Sequence, residues 1–295
     1  MTRIYKSIEG ERAVRERYLA ILKYWPVANQ QLRVPTREGE TFVVACGDVS
    51  APPLVLLHGA MANAATWMGD VAAWAEHFRV YAVDVIGEAG LSAASRPPLA
   101  SDAHAVWLDD VMRELSITQA SMVGVSLGGW LALDYATRRP HRVAGLVVLC
   151  PAGVGRQKLS IVFKAFPLRM LGDWGKRKTI ELILGRAPVN PSPAMRSFME
   201  FFSLIHKNRR SRMVKLPIFS DAALQRLTMP VMAILGGKDV MLVSAETKRR
   251  LERNVPHVEV RYHPEAGHFI PRQTTPILEF LLTHVLLRDT ILRGT

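Results

Sequence analysis

The run Gly124-Val125-Ser126-Leu127-Gly128 places a serine between an apolar segment and a helix-like one. Residues 121–125 are typical of a buried strand, and residues 127–135 are typical of a helix packed on that strand. A serine at such a junction must turn the chain sharply, and the flanking glycines remove side chains that would clash there. The pattern therefore predicts a serine hydroxyl on a strained turn at the positive end of a helix, a position suited to a nucleophile.

A nucleophilic serine requires a general base, and the base requires an acid that orients it. Residues 231–236 form an apolar strand that ends close to Asp239, and the strand at 258–262 leads to His268. Ser126, Asp239 and His268 would each lie just beyond the C-terminal end of a strand. Because those ends share one edge of a parallel sheet, the three side chains are predicted to meet in one crevice.

Each of these three assignments has a structural alternative. Ser126 could be an ordinary N-cap of the following helix, and His268 could be a turn histidine. Glu246 and Glu265 are rival acids for Asp239, but neither directly follows the strand at 231–236. The flanking glycines and the order serine, acid, histidine favour the catalytic interpretation.

An oxyanion hole is predicted where the strand at 54–58 closes on His58-Gly59 and continues into a loop. Acyl-transfer chemistry of this kind uses two backbone N–H donors. The N–H of Leu127 is predicted as one donor, and that of Ala60 or Met61 as the other. His58 could be a second catalytic histidine, but we favour a role in ordering this loop by hydrogen bonding.

The motifs resemble, together and in order, those of the α/β-hydrolase superfamily, from about Gln31 to the C-terminus. They are His58-Gly59-Ala60, Asp84-x-x-Gly87, Gly124-x-Ser126-x-Gly128-Gly129, Gly236-x-x-Asp239 and Gly267-His268. The resemblance implies an α/β fold with a doubly wound, mostly parallel eight-stranded sheet and an inserted helical cap. It also implies a reaction that needs no cofactor.

Two further segments, Lys23-Tyr24-Trp25-Pro26 and residues 36–41, are similar to small bacterial serine carboxylesterases of that superfamily. The loop after Asp84 departs from the family pattern Asp-x-x-Gly-x-Gly-x-Ser. Here the sequence from Gly87 to Ser92 contains one extra residue. This loop borders the expected active site, so the resemblance does not transfer a particular substrate. Asp84 itself is predicted to be structural, accepting hydrogen bonds from the following turn.

The alternation of strands and helices predicts one α/β domain, interrupted once. Residues 1–150 and 226–295 are predicted to form the hydrolase core, and residues 151–225 the inserted helical cap. Helices are also predicted at 11–24 and 64–77. In the chain as a whole, 49% of residues are hydrophobic and 22% are charged, a composition typical of a soluble globular protein.

The predicted cap contains nearly all of the net charge of the chain. Residues 156–215 include 14 Lys or Arg and three acids, a net of +11, whereas the whole chain has +12. One interpretation is attraction of an acidic substrate, or weak contact with an anionic membrane surface. The alternative, which we favour, is a solvated cap exterior. Nucleic-acid binding is disfavoured because no recognition motif accompanies the charge.

His58, Trp67 and Trp130 are the candidate substrate-binding residues. For the tryptophans, and for Met61, burial in the core is an equal alternative. Cys46 and Cys150 lie in or beside apolar strands, which predicts buried free thiols. No C-x-x-C or H-E-x-x-H pattern occurs, so no metal site is predicted.

The N-terminus lacks an apolar signal segment and no long apolar run follows, so a cytoplasmic location is expected.

The function predicted from these features is hydrolysis of carboxylic esters of small to medium size, through an acyl-serine intermediate. A serine at the nucleophile position argues against the dehalogenase and epoxide-hydrolase branches, which use an aspartate there. Three alternatives stay open: a C–C hydrolase of vinylogous diketo acids, a lipase or lysophospholipase, and a non-catalytic hydrolase-like ligand receptor. The sequence does not indicate an oligomeric state.

Overall fold

A single mixed sheet organises the chain. The computed structural model describes residues 4–158, 167–168, 171–185, 190, 192–210 and 215–286, and within them eight strands lie in the order β1-β2-β4-β3-β5-β6-β7-β8. β2 pairs antiparallel with both β1 and β4, and every other pair is parallel. The predicted mostly parallel eight-stranded sheet is confirmed. The strands are β1 Asn29–Val34, β2 Thr41–Cys46, β3 Pro53–Leu57, β4 Arg79–Val83, β5 Ala120–Val125, β6 Val143–Leu149, β7 Val231–Gly236 and β8 Val258–His263.

Helices connect the parallel strands, because such strands need a long crossover connection. The α-helices of the described residues are α1 Ile8–Leu22, α2 Val71–Trp74, α3 Ala103–Glu114, α4 Leu127–Arg138, α5 Gly172–Leu184, α6 Pro193–Asn208, α7 Asp221–Leu224, α8 Ser244–Asn254 and α9 Thr274–Leu281. α1 shows how the sequence defines such an element. Ser7 caps its first turn by accepting from the Gly10 N–H, and Val14, Tyr18 and Leu22 recur every four residues on its buried face.

One predicted helix is wrong. Residues 64–77 form a short 3-10 helix, Ala64–Trp67, and then the four-residue α2. Asn63 caps the first piece by accepting from the Ala65 N–H. Gly69 lies between the two pieces, and glycine is a poor helix former. The apolar spacing of this segment therefore reflects burial of two short turns rather than one continuous helix.

The core lies on both faces of the sheet. Every residue of β2 and of β7 is buried, as expected for strands covered on both sides. Cys46 and Cys150 are buried free thiols, which confirms their prediction. Among the described helices, none is long and apolar enough to cross a bilayer.

The segment between β6 and β7 contains α5, α6 and α7. α6 packs on the N-terminal helix α1, where the rings of Tyr18 and Phe201 stack with centroids 6.0 Å apart. Arg17 also donates a hydrogen bond of 3.1 Å to Ser197 across the same contact. Part of the basic stretch, including residues 159–166 and 211–214, lies outside the described residues. The division into a core and a cap at residues 151–225 therefore stays a prediction.

Candidate active site

Ser126 occupies the strained turn that its sequence context predicts. Its φ of 54° is in the left-handed region, which non-glycine residues rarely adopt. β5 ends at the preceding residue and α4 begins at the following one. The Ser126 N–H donates to the carbonyl of Leu149 at the end of β6, over 2.9 Å. The residue is half-buried. Its hydroxyl is therefore held at the C-terminal edge of the sheet, beside the positive end of α4.

The glycines around Ser126 are required by close approach of the backbone. A Cβ added to Gly128 would lie 2.0 Å from the carbonyl oxygen of Leu57, at the end of β3. A Cβ added to Gly124 would lie 2.4 Å from the carbonyl oxygen of Gly128. No real side chain tolerates either distance, so these two glycines let α4 begin directly against the strand ends.

Asp239 and His268 meet as the sequence predicts. His268 Nδ1 lies 2.7 Å from Asp239 Oδ2, and both side chains are buried. Asp239 Oδ1 accepts from the backbone N–H groups of Met241, at 2.7 Å, and Leu242, at 3.0 Å. Burial alone would raise the pKa of Asp239, but the contact with His268 and these two N–H donors outweigh it and lower the pKa. The carboxylate is therefore ionised, so His268 Nδ1 carries the proton and Nε2 is left as the basic nitrogen.

The loops that carry these residues lie side by side at one edge of the sheet. Cys150, which follows β6, donates its backbone N–H to Ile234 in β7 over 2.9 Å. The Lys238 N–H donates over 2.9 Å to the carbonyl of Ala266, two residues before His268. Together with the Ser126–Leu149 hydrogen bond, these contacts place the loops after β5, β6, β7 and β8 next to one another.

Cys150 lies beside the acid–histidine pair. Its Sγ, a carboxylate oxygen of Asp239 and a ring nitrogen of His268 lie within 4.8 Å of one another. Burial, together with the charge of Asp239, raises the pKa of the Cys150 thiol to about 12. A neutral thiol is a poor nucleophile, and His268 Nδ1 and Asp239 Oδ2 already bind each other. The contact between Asp239 and His268 therefore fits an acid that orients a histidine better than two ligands of a metal ion.

The predicted oxyanion loop lies against Ser126. A Cβ added to Gly59 would be 3.6 Å from the Cβ of Ser126. The Met61 N–H donates to Glu88 Oε2 over 2.7 Å, so the structure argues against Met61 as an oxyanion donor. Within the described part of the chain, the N–H groups of Ala60 and Leu127 donate to no other residue. Ala60 and Leu127 therefore stay the candidate pair.

His58 is fully buried, and the backbone uses both of its ring nitrogens. The Val85 N–H donates to Nε2 over 2.9 Å, so Nδ1 must carry the proton that is shared with the Gly59 carbonyl at 2.8 Å. Burial lowers the pKa of His58 to about 4, so the ring is neutral near pH 7. This geometry fits the predicted ordering of the loop, and it argues against His58 as a substrate-binding or second catalytic residue.

Trp67 and Trp130, the other two candidate substrate-binding residues, lie in the core. Trp130 donates its ring N–H to the Pro217 carbonyl over 2.9 Å and stacks on Phe219, with centroids 5.7 Å apart. Trp67 packs against Trp74 at 5.9 Å between ring centroids. Only 4% of Trp67 and 1% of Trp130 is exposed, so neither offers a face to substrate in this conformation. Their core alternative fits the structure better.

Asp84 is buried and accepts hydrogen bonds from three segments, which fits the structural role predicted for it. It accepts hydrogen bonds from the Tyr18 hydroxyl at 2.9 Å and from the backbone N–H groups of Ala64 and Leu91, each at 2.8 Å. Burial raises the pKa of Asp84 to about 6, although these hydrogen bonds act in the opposite direction. Asp84 thus joins α1, the 3-10 turn and the loop after β4.

The stability of the protein should depend on pH through Asp84 and His58 with opposite signs. The raised pKa of Asp84 contributes stability below about pH 4, and this contribution is lost as the pH rises through about 6. The lowered pKa of His58 contributes stability above about pH 6.5, and this contribution is lost as the pH falls through about 4. Asp84→Asn removes the first effect, so its free energy of unfolding should rise more steeply with pH between 4 and 6 than that of wild type.

Urea unfolding at several pH values measures this difference. The slopes should differ by at most about 1.4 kcal/mol per pH unit, the value for one proton. Only slopes are compared, because the amide nitrogen that replaces Asp84 Oδ2 cannot accept from the Leu91 N–H, and this loss lowers stability at every pH. Parallel pH profiles would show that Asp84 does not titrate in this window.

Known proteins resemble this chain in sequence and in structure. Residues 54–280 match the model of the alpha/beta hydrolase family. Carboxylesterase YbfK of Bacillus subtilis (strain 168) is 28% identical over 269 residues, which cover 90% of each chain. Its crystal structure superposes with a TM-score of 0.80, covering 94% of this chain and 98% of that one at 26% identity.

Two further relatives differ in the reactions that their names give. The crystal structure of naproxen esterase from Bacillus subtilis has a TM-score of 0.77 at 26% identity, covering 98% of this chain and 99% of that one. The 2-hydroxymuconate semialdehyde hydrolase of Pseudomonas sp. (strain CF600) is 28% identical over 238 residues, 74% of this chain and 80% of that one. Since the family model covers well over half of its length, the chain belongs to the α/β-hydrolase family.

Proposed function

We propose that this protein is a serine carboxylesterase that hydrolyses small to medium carboxylic esters through an acyl-Ser126 intermediate. The observation that supports this most directly is the buried 2.7 Å contact between His268 and Asp239, at the same sheet edge as the strained Ser126. The relatives named as carboxylesterases match along nearly the whole chain, which supports an ester as the substrate. The substrate is a small molecule, and the residues proposed to act require no cofactor.

In the first half of the reaction, His268 Nε2 removes the hydroxyl proton of Ser126 as its Oγ attacks the ester carbonyl. Asp239 holds the Nδ1–H tautomer and stabilises the imidazolium that forms. The N–H groups of Leu127 and Ala60 bind the tetrahedral oxyanion; one such donor contributes about 3–4 kcal/mol to lowering the barrier. Collapse of this intermediate breaks the ester C–O bond, and His268 gives its proton to the departing alcohol.

In the second half, water hydrolyses the acyl-Ser126 ester. His268 Nε2 takes a proton from the water as its oxygen attacks the acyl carbonyl, and the same two N–H groups bind the second oxyanion. Breaking the acyl–Oγ bond returns that proton to Ser126 and releases the carboxylic acid. The overall reaction consumes one water and produces one acid and one alcohol.

C–C bond hydrolysis of a vinylogous diketo acid is a second candidate. It is favoured by the relative named 2-hydroxymuconate semialdehyde hydrolase, which matches 74% of this chain. Such substrates carry a carboxylate, which the excess of basic residues at 156–215 would attract. The same basic residues could also be attracted to an anionic membrane surface, and we propose this weak contact on the same ground of charge.

A panel of p-nitrophenyl esters from acetate to palmitate tests the proposed function. We expect turnover with the highest kcat/KM at short acyl chains, and mass spectrometry should find a fluorophosphonate attached to Ser126. A rise in activity only above the aggregation limit of long-chain esters would instead indicate a lipase. Faster turnover of a ring-fission diketo acid than of any ester would favour the C–C hydrolase. No turnover and no labelling would contradict the hydrolase proposal and favour a ligand receptor.

A further inference from the structure

A buried ion pair joins the predicted cap to the loop after β4, beside the oxyanion loop. Glu88 is 2% exposed and lies in the loop that carries the extra residue after Asp84. Its Oε1 lies 2.6 Å from Nη2 of Arg209, whose side chain has no exposed surface. Arg209 directly follows α6. Two opposite charges are thus buried beside the proposed active site. Removing them from water costs desolvation free energy, whereas apolar side chains of similar size could fill the same space without that cost.

The second oxygen of the Glu88 carboxylate binds the oxyanion loop. Glu88 Oε2 accepts the Met61 N–H over 2.7 Å, and Met61 has a left-handed φ of 62°. Arg209 reaches the same residue, because its Nη1 contacts the Met61 sulfur, while its Nη2 also donates to the Gly87 carbonyl over 2.7 Å. The Glu88 carboxylate therefore stabilises Met61 in a left-handed backbone conformation that is unfavourable without such a contact.

Ala60 consequently lies between two fixed peptide planes. The Gly59 carbonyl and the Ala60 N–H belong to one planar peptide unit, which His58 orients through its hydrogen bond to that carbonyl. The Ala60 carbonyl and the Met61 N–H belong to the next unit, which Glu88 orients. The Ala60 N–H, the donor proposed for the oxyanion, lies in the first unit, and holding the second unit limits how far the first can rotate.

We propose that Glu88 is a positioning residue of the oxyanion hole and that Arg209 is its counter-charge. This inference rests on the proposed function. Glu88 aims the Ala60 N–H by holding the neighbouring Met61 N–H, and it does not touch substrate. A lone carboxylate so close to the site would oppose the negative charge of the transition state, so the guanidinium of Arg209 neutralises it.

Two double variants separate the hydrogen bond from the ion pair. Both carry Arg209→Met, and they differ only in Glu88→Gln or Glu88→Met, side chains of nearly the same length. Both lack the charges and the contact with the Gly87 carbonyl, but only the glutamine keeps an oxygen that can accept the Met61 N–H. Replacement of a buried ion pair by uncharged side chains of similar size is often tolerated, so both should fold.

The expected difference lies in kcat. The Glu88→Gln pair should retain kcat on the best p-nitrophenyl ester within about threefold of wild type. The Glu88→Met pair should lose about 10- to 100-fold in kcat with little change in KM, somewhat less than the loss of a whole oxyanion donor. Inhibition by a trifluoromethyl ketone that forms a tetrahedral adduct with Ser126 should weaken in parallel with kcat/KM. If the Glu88→Met pair does not fold, Glu88→Leu with Arg209→Met replaces it.

Equal kcat values in the two pairs, with wild type active, would overturn this inference and leave the proposed function intact. A loss that appears in KM rather than kcat would also overturn it, because substrate binding and not oxyanion stabilisation would then be affected. A wild type that hydrolyses no ester of the panel would overturn the proposed function and this inference together.

Discussion

Replacing Ser126 with alanine should lower kcat/KM for p-nitrophenyl esters at least about 10⁴-fold. The alanine lacks the oxygen that attacks the carbonyl, so no acyl-enzyme can form and only the oxyanion donors remain. Substrate affinity should change little, because the hydroxyl is one small group in the site. Steady-state kinetics of purified wild type and variant, with fluorophosphonate labelling of each, measure both effects.

Ser116→Ala is the matched control for this prediction. Ser116 has a φ of 57°, close to the 54° of Ser126, but it precedes β5 rather than following it and so lies at the opposite edge of the sheet. Both substitutions therefore place alanine at a residue with a positive φ. The control should keep wild-type kcat and its label on Ser126. Equal activity in Ser126→Ala and wild type would refute the acyl-serine mechanism.

The site could be predicted where local sequence defines local geometry. Close approach of the backbone requires glycine at positions 124 and 128, so the turn around Ser126 is encoded within a few residues. The acid follows an apolar strand and the histidine follows an alternating one, and the strands of a parallel sheet all end at one edge. Order along the chain was therefore sufficient to predict that Asp239 and His268 meet.

Elements at the margin of the sheet could not be predicted in the same way. β1, Asn29–Val34, lies at the edge and is mostly exposed, so it has no apolar run and no strand was predicted there. It is a strand because it pairs along its whole length with β2. Pairing of this kind depends on tertiary context, which intrinsic preference does not indicate.

Residue type alone does not decide between a substrate-binding and a core role around the site. His58, Trp67 and Trp130 have side chains that often bind substrates, but the structure buries all three. Glu88 and Arg209 were missed because their pairing joins two loops far apart in sequence. The only signal was the extra residue after Asp84, which marks the loop as unusual without indicating what Glu88 contacts.

Asp239→Asn should lower kcat about 10⁴-fold while the protein stays folded. The asparagine oxygen can still accept from the Met241 and Leu242 N–H groups, so the loop after β7 should keep its shape. Its amide N–H₂ would then face His268 Nδ1, which must lose its proton to accept from it. The ring proton moves to Nε2, which can no longer accept the proton of Ser126.

Substitution of the rival acids provides the controls for this prediction. Glu246 pairs with Arg156 at 2.9 Å and the exposed Glu265 pairs with Lys238, whereas Asp239 contacts His268 Nδ1. Glu246→Gln and Glu265→Gln should therefore keep kcat within about threefold of wild type, since exposed ion pairs contribute little. Thermal unfolding of each variant distinguishes lost chemistry from lost structure. If Glu265→Gln lost as much activity as Asp239→Asn, or if Asp239→Asn kept more than about a tenth of kcat, the buried carboxylate would not be the residue that fixes the tautomer of the base.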